Sequence, residues 1–268
     1  MKCAVLGDPI AHSLSPVLHR AGYAAVGLDW EYEAIQVPAG GLVGLVGGLG
    51  SDWRGLSVTA PLKREAMILA DVASDRVRLV GAANTLLLTG GEVHADNTDL
   101  PGAVAAIRER YDGAVGDALI LGAGATAAST GLALAELGAT RIAIAARTAS
   151  RASDTVAAIA AHPNGPRVRV LDLATVELGD ENVVVSTVPV VAQTPGLVAR
   201  VGGAAVMFDV VYDPWPTPLA RAATGTLVSG LDLLVHQAAL QFTAFTGLAA
   251  PLAAMRAAGD AALRERSK

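Results

Sequence analysis

Short apolar runs alternate with alanine- and leucine-striped segments along most of this chain, and that alternation predicts repeated strand and helix units. Residues 2–6 read as a buried strand. Ser15-Pro16 reads as a helix start, because serine is a favoured N-cap and proline suits the first helical position. Val17, Leu18, Ala21, Ala24 and Ala25 supply its apolar stripe, and Gly27 a stop. Strands follow at 30–37 and 54–58, with a glycine-rich stretch over 39–50 between them that predicts no firm element. Pro61 reads as the opening of the next helix, with Lys63 in or near its first turn. Residues 82–88 and 92–95, joined through Thr89-Gly90-Gly91, read as a hairpin.

From residue 100 the rhythm becomes regular. A helix over 100–111 and a break at 112–116 precede strand 117–121, a glycine turn, helix 125–137, strand 141–146, helix 149–161 and strand 167–171. Further strands are expected at 183–187, 204–210 and 226–229, then two helices at about 231–246 and 250–265. Strands alternating with helices predict an α/β protein with a parallel sheet and right-handed crossovers.

Composition narrows the function classes. The chain has 268 residues, 52% apolar and 17% charged, which predicts globular structure and leaves room for two domains. Its net charge of −5 offers no basic patch for nucleic acid or anionic lipid, so neither is an expected partner. No uncharged apolar run reaches membrane-spanning length. The one cysteine, Cys3, excludes an internal disulfide and a cysteine-based zinc site, and the five histidines are scattered, so no metal is expected. A strand at the outset predicts no signal sequence, and with the single cysteine it predicts a cytoplasmic setting. A homodimer is among the assemblies left open.

Several short runs carry candidate chemistry. Gly122-Ala123-Gly124, with Ala125, Thr126 and Ala127 after it, lies between an apolar strand and an alanine-rich helix. In that context glycines let the backbone approach a pyrophosphate at a helix N-terminus; the plain alternative is a tight turn with no ligand. The next strand ends Ala145-Ala146-Arg147-Thr148, with no carboxylate for a ribose 2′-hydroxyl. Arg147 can fork onto a 2′-phosphate and Thr148 can donate to it, which favours NADP(H) over NAD; otherwise Arg147 is an ordinary solvated arginine. Ser13 and Ser15 sit where the first helix begins and could seat a carboxylate, or Ser15 could simply cap the helix. His12 and His19 read as structural. Lys63 and Asp99, each inside a short polar run, could pass and hold a proton, with Asn84 as a strand-borne amide for a substrate hydroxyl. The plain alternatives are a surface lysine on a first helical turn and an N-cap for helix 100–111.

Taken together, seven runs resemble the shikimate dehydrogenase family. They are Gly7-x-Pro9-x-x-His12-Ser13-x-Ser15-Pro16-x-x-His19, Ser57-Val58-Thr59-x-Pro61-x-Lys63, Gly81-Ala82-x-Asn84-Thr85, Asp96-Asn97-Thr98-Asp99-x-x-Gly102, Gly122-Ala123-Gly124, Asp209-x-x-Tyr212-x-Pro214-x-x-Thr217-Pro218-Leu219 and Gly230-Leu231-x-x-Leu234-Val235-x-Gln237-Ala238. The resemblance implies an N-terminal α/β substrate domain (1–100 with 236–268), a Rossmann-type NADP-binding domain (101–235), and C-terminal helices that return to the first domain. It implies reversible NADPH-dependent reduction of 3-dehydroshikimate to shikimate, in aromatic amino acid biosynthesis. Ser13 and Ser15 would hold the substrate carboxylate with Tyr212 nearby. Thr59, Asn84, Asp99 and Gln237 would bond the ring hydroxyls, and Lys63 and Asp99 would be the proton-transfer pair. The cofactor contacts would be residues 122–127, Arg147, Thr148, Thr187, Val188, Val210 and Gly230.

Four departures from the family pattern stand out: Ser57 where Asn is usual, Ala125 where Gly is common, Ala146 where Asn often precedes the arginine, and Ser186-Thr187-Val188-Pro189 in place of Asn-Ala-Thr-Pro. Ser57 loses a backbone-fixing amide that a shorter hydroxyl could replace. Two rivals stay open: a quinate/shikimate dehydrogenase with relaxed substrate and NAD/NADP use, and a non-catalytic nucleotide- or metabolite-binding homologue.

Overall fold

A computed structural model describes residues 1–266, which fall into two compact units: Met1–Thr98 with Leu234–Arg266, and Asp99–Leu233. The first unit begins with β1 (Lys2–Gly7), α1 (Ser15–Ala25), β2 (Glu31–Gln36), α2 (Leu42–Gly47) and β3 (Trp53–Val58). It continues with α3 (Lys63–Leu69), β4 (Val72–Ala73), α4 (Asp75–Val80), β5 (Thr85–Thr89) and β6 (Glu92–Asp96). The second unit comprises α5 (Asp99–Arg110), β7 (Asp117–Leu121), α6 (Ala125–Glu136), β8 (Arg141–Ala146), α7 (Ser153–Ala160), β9 (Arg167–Asp172), β10 (Val183–Ser186), α8 (Pro195–Val201), β11 (Val206–Asp209), α9 (Pro218–Ala222) and β12 (Thr226–Ser229). The long α10 (Gly230–Thr246) leads from the second unit back into the first, where α11 (Leu252–Arg266) packs along α1.

The first sheet is mixed, in the order β2-β1-β3-β5-β6-β4. β1 runs parallel to both neighbours, and β5 is antiparallel to β3 and β6. The strand pleat sends alternate side chains to opposite faces. Ala4 and Leu6 join Leu56, Val58, Leu62 and Leu86 in one apolar cluster. Behind the sheet, an aromatic group forms from His19, Tyr23, Tyr32, Phe242 and Phe245.

The second sheet is wholly parallel, in the order β12-β11-β10-β7-β8-β9. Read from β9, this is the doubly wound dinucleotide-binding order, with its switch point between β7 and β10. Parallel strands are covered on both faces, which is why Ala118–Leu121 and Val183–Ser186 are buried without alternation. The alanine-rich α6 is buried from Ala127 to Ala135 because α5, α7 and the sheet surround it. Among the described residues, no helix is long and apolar enough to cross a membrane.

Several sequence expectations shift. Leu14, not Ser15, occupies the N-cap of α1, with no side-chain cap, so Ser15 enters the first turn. Pro61 does not open α3: the Ala60–Pro61 peptide is cis and lies in the turn, and the helix begins at Lys63. Asp99 is the first residue of α5, not a residue before it. Asn84 precedes β5 and does not lie on it, although its carbonyl still accepts from Val58 N–H at 2.7 Å. The expected helix 149–161 begins as a 3₁₀ turn over Ala149–Ala152. Five labelled elements have no counterpart among the sequence expectations: α2, β4, α4, α8 and α9. Two of them carry a plain start signal, Thr194-Pro195 and Thr217-Pro218, in which the threonine hydroxyl accepts from Leu197 N–H and Ala220 N–H.

His19 is fully buried and stacked on Tyr32, ring centroids 4.2 Å apart and 11° from parallel. Neither of its ring nitrogens has a hydrogen-bond partner, nor does the Tyr23 hydroxyl. Burial therefore lowers the His19 pKa to about 3, and the fold holds the neutral ring. The unfolded chain takes up the proton below about pH 6.5, so stability is lost as pH falls through that value toward 3. This residue alone should remove about 2 kcal/mol between pH 7.5 and pH 5. Urea unfolding at both values checks it: a His19→Leu variant should lose less stability over that interval than the parent, and parallel losses would refute the cause.

Candidate active site

In the first unit, a set of buried polar side chains is fastened to the backbone. Thr98 N–H donates to Asn84 Oδ1 at 2.8 Å, and Asn84 Nδ2 donates to Thr98 Oγ1 at 2.9 Å and to Gln237 Oε1 at 3.3 Å. A backbone N–H can only donate, so it determines which atom of the Asn84 carboxamide is oxygen. Asn97 Nδ2 donates to the Ala82 carbonyl at 2.9 Å, and Ala83 N–H to the Lys63 carbonyl at 2.8 Å. The backbone of Lys63 is thus bonded to the residue before Asn84, while the Asn84 side chain grips the residue before Asp99. Lys63 is half-buried at the start of α3, and Asp99 is buried at the start of α5.

Ser13 and Thr59 lie on neighbouring loops. Asp8 N–H donates to the Ala60 carbonyl at 3.0 Å, and Thr59 N–H to the Leu6 carbonyl at 2.8 Å, which ties the chain after β3 to the chain after β1. Ser15 N–H donates to Ser13 Oγ at 3.3 Å, so the two serines share one turn at the start of α1. Gln237 is buried on α10, with Nε2 donating to the Leu234 carbonyl at 3.0 Å. Gln241, one helical turn further, bonds the same neighbourhood through the Asn84 carbonyl and Thr85 Oγ1. Sequence reading passed over it, although its spacing of four from Gln237 puts both amides on one face of the helix.

The second unit holds a loop at its switch point. Gly122 has φ +107°, and a Cβ there would run into Thr187 Oγ1. Its N–H donates to the Ala145 carbonyl at 2.9 Å, while Thr187 N–H and Oγ1 both donate to the Leu121 carbonyl, at 2.8 and 2.9 Å. Gly124 caps α6 without a side chain and has open space where a Cβ would stand. Ala125, Thr126 and Ala127 form the first turn that follows. The N–H groups of such a turn have no partner within the helix, so the loop fits a pyrophosphate. Arg147 and Thr148 are exposed directly after β8, as a 2′-phosphate contact requires. Val188 is buried one residue past Thr187, and Gly230 starts α10 so close to the Val210 carbonyl that a side chain would not fit.

Asp209, at the end of β11, anchors this side. Burial pushes its carboxyl up, while Thr217 Oγ1, Gln193 Nε2 and Val211 N–H donate to it at 2.6, 2.8 and 3.2 Å. Tyr212 lies on the loop these bonds hold. Among the described residues, no group of three or more His, Cys, Asp or Glu is placed to hold a metal.

A mixed-sheet α/β domain joined to a doubly wound domain with a bare glycine loop at its switch point defines a two-domain, dinucleotide-dependent oxidoreductase architecture. The chain belongs to the shikimate dehydrogenase family. Residues 5–86 match the family's substrate binding domain, and residues 230–258 match the shikimate 5′-dehydrogenase C-terminal domain. The NADP(+) shikimate dehydrogenase of Caulobacter vibrioides is 38% identical over 91% of this chain and 89% of its own length. The crystal structure of Mycobacterium tuberculosis shikimate dehydrogenase superposes with a TM-score of 0.86 at 43% identity, covering 97% of this chain and 99% of that one. A shikimate 5-dehydrogenase from Thermus thermophilus, solved with NADP(H) and shikimate, gives 0.81 at 29% identity, with 98% and 100% covered.

The positive φ and the Thr187 contact make position 122 a sharp test of the loop. Gly122→Ala should cost about 1–3 kcal/mol from backbone strain, with a further steric part that Thr187→Ala relieves. Thermal unfolding of the single and double variants checks it; a Gly122→Ala protein as stable as the parent would show that the loop has no need of glycine.

Proposed function

We propose that this chain interconverts 3-dehydroshikimate and shikimate as an NADP-dependent shikimate dehydrogenase in aromatic amino acid biosynthesis. Its first unit takes the substrate and its second the cofactor. The observation that carries the residue roles is the Asn84 carboxamide, held at 2.8 Å to Thr98 N–H, with Asp99 next along the chain and the Lys63 carbonyl bonded to Ala83 N–H at 2.8 Å. Ser13 and Ser15 hold the substrate carboxylate, with Tyr212 as a further contact. Thr59, Asn84, Asp99 and Gln237 bond the ring hydroxyls. Residues 122–127, Thr187, Val188, Val210 and Gly230 cradle the cofactor, and Arg147 with Thr148 takes its 2′-phosphate.

NADPH, when bound, supplies the hydride for the substrate carbonyl carbon. As negative charge develops on the carbonyl oxygen, the Lys63 ammonium gives it a proton, and in the reverse direction the Lys63 amine takes the hydroxyl proton. The Asp99 carboxylate holds the ammonium in place and accepts from a ring hydroxyl. The small-molecule substrate and cofactor are the only ligands we assign, in a cytoplasmic setting, with no nucleic-acid partner.

Lys63→Ala should lower kcat by about 10²–10⁴-fold with a modest change in KM, read from nicotinamide absorbance with shikimate and NADP. Near-parental turnover in that variant would remove the mechanism. Arg147→Ala should raise the KM for NADP by about 10–100-fold, the loss of charged hydrogen bonds, and leave that for NAD nearly unchanged. A parent protein that prefers NAD would defeat the cofactor assignment.

A further inference from the structure

Gln241 is 1% exposed on α10, and every polar atom of its side chain is engaged. Nε2 donates to the Asn84 carbonyl at 2.9 Å and to Thr85 Oγ1 at 3.0 Å. The Asn84 carbonyl can only accept, so it identifies that atom as the nitrogen and turns Oε1 toward Ser57. Ser57 Oγ donates to Oε1 at 2.7 Å and accepts from the Tyr32 hydroxyl at 2.5 Å. Thr85 Oγ1, having accepted from Gln241, donates to Asn84 Oδ1 at 2.8 Å. The donors therefore run in one direction, from Tyr32 through Ser57 to Gln241, and from Gln241 through Thr85 to Asn84. With Thr85 and Thr98 N–H both donating to Asn84 Oδ1, the opposite face of that carboxamide must present N–H.

We propose that Gln241 is a positioning residue for Asn84: it sets the rotamer and amide sense of that carboxamide, supplying from α10 the amide that position 57 lacks. This rests on the reading of Asn84 as a substrate contact. Gln241 itself touches no substrate; it acts through Thr85 and the Asn84 backbone. The serine at position 57 is small enough to leave the Gln241 carboxamide beside β3, and its hydroxyl satisfies the oxygen that would otherwise be buried without a partner.

The test is steady-state kinetics of Gln241→Met, which keeps the volume and removes the bonds. The KM for shikimate should rise about 3- to 10-fold, with the KM for NADP unchanged. The pair Ser57→Asn with Gln241→Ala, which moves the amide to β3, should bring the shikimate KM back toward the parental value. Thermal unfolding run alongside sets the assay temperature below every midpoint. Should Gln241→Met fail to fold, Ser57→Ala breaks the same chain of bonds and is read the same way. An unchanged shikimate KM in the folded variant, with the parent active, overturns the positioning role alone. No turnover of shikimate with NADP by the parent, or an Asn84→Ala variant with parental shikimate KM, overturns the functional reading and this assignment with it.

Discussion

The Asn84 carboxamide is the interaction on which the arrangement beyond the ends of β5 and β6 depends. It is buried and bonded at both ends, and its oxygen accepts the backbone N–H of Thr98 at 2.8 Å. That bond terminates the hairpin strand β6 and delivers the chain into α5, with Asp99 as the first helical residue. A buried amide with only part of its hydrogen bonds satisfied would cost about 1–3 kcal/mol, so such a group tolerates few arrangements. The loop 82–84 and the Asn97-Thr98 segment after β6 are held together by side-chain bonds.

The second unit builds its glycine loop by backbone means. Parallel strands β7 and β10 part company at the switch point, and the residues just beyond their ends, Gly122 and Thr187, meet there. Thr187 satisfies the Leu121 carbonyl twice, which leaves the glycine loop free of side chains around the start of α6. Asp209 does for the far side what Asn84 does in the first unit, gathering Gln193, Thr217 and the Val211 amide around one buried carboxyl.

The departures from the family pattern become intelligible in this setting. Ser57 is part of a filled polar network whose amide comes from Gln241. Ser186 is fully buried beside Gln193 and belongs to the Asp209 group, not to the glycine loop. Ala125 stands in the first turn of α6, where a methyl is compatible with helix, and Ala146 closes β8 as a buried strand residue.

Much of the architecture was legible in the chain because periodicity and punctuation are local. The run Ala118–Leu121 reads as a buried parallel strand, Gly122-Ala123-Gly124 as the turn after it, and Gly27 as a helix stop, each from its own neighbours. Residue types alone also marked Lys63, Asp99 and Arg147 as candidates. Tertiary structure decided the rest: the strand orders, which residue opens each helix, and the partnership of Ser57, Gln241, Thr85 and Asn84. That partnership joins positions 184 residues apart, and a hydrogen bond between groups so distant leaves no pattern in either local segment. Short elements such as α2 and α4 escaped for a related reason: six residues carry too few apolar positions to show a period, and they are helical because the sheet beneath them supplies the burial.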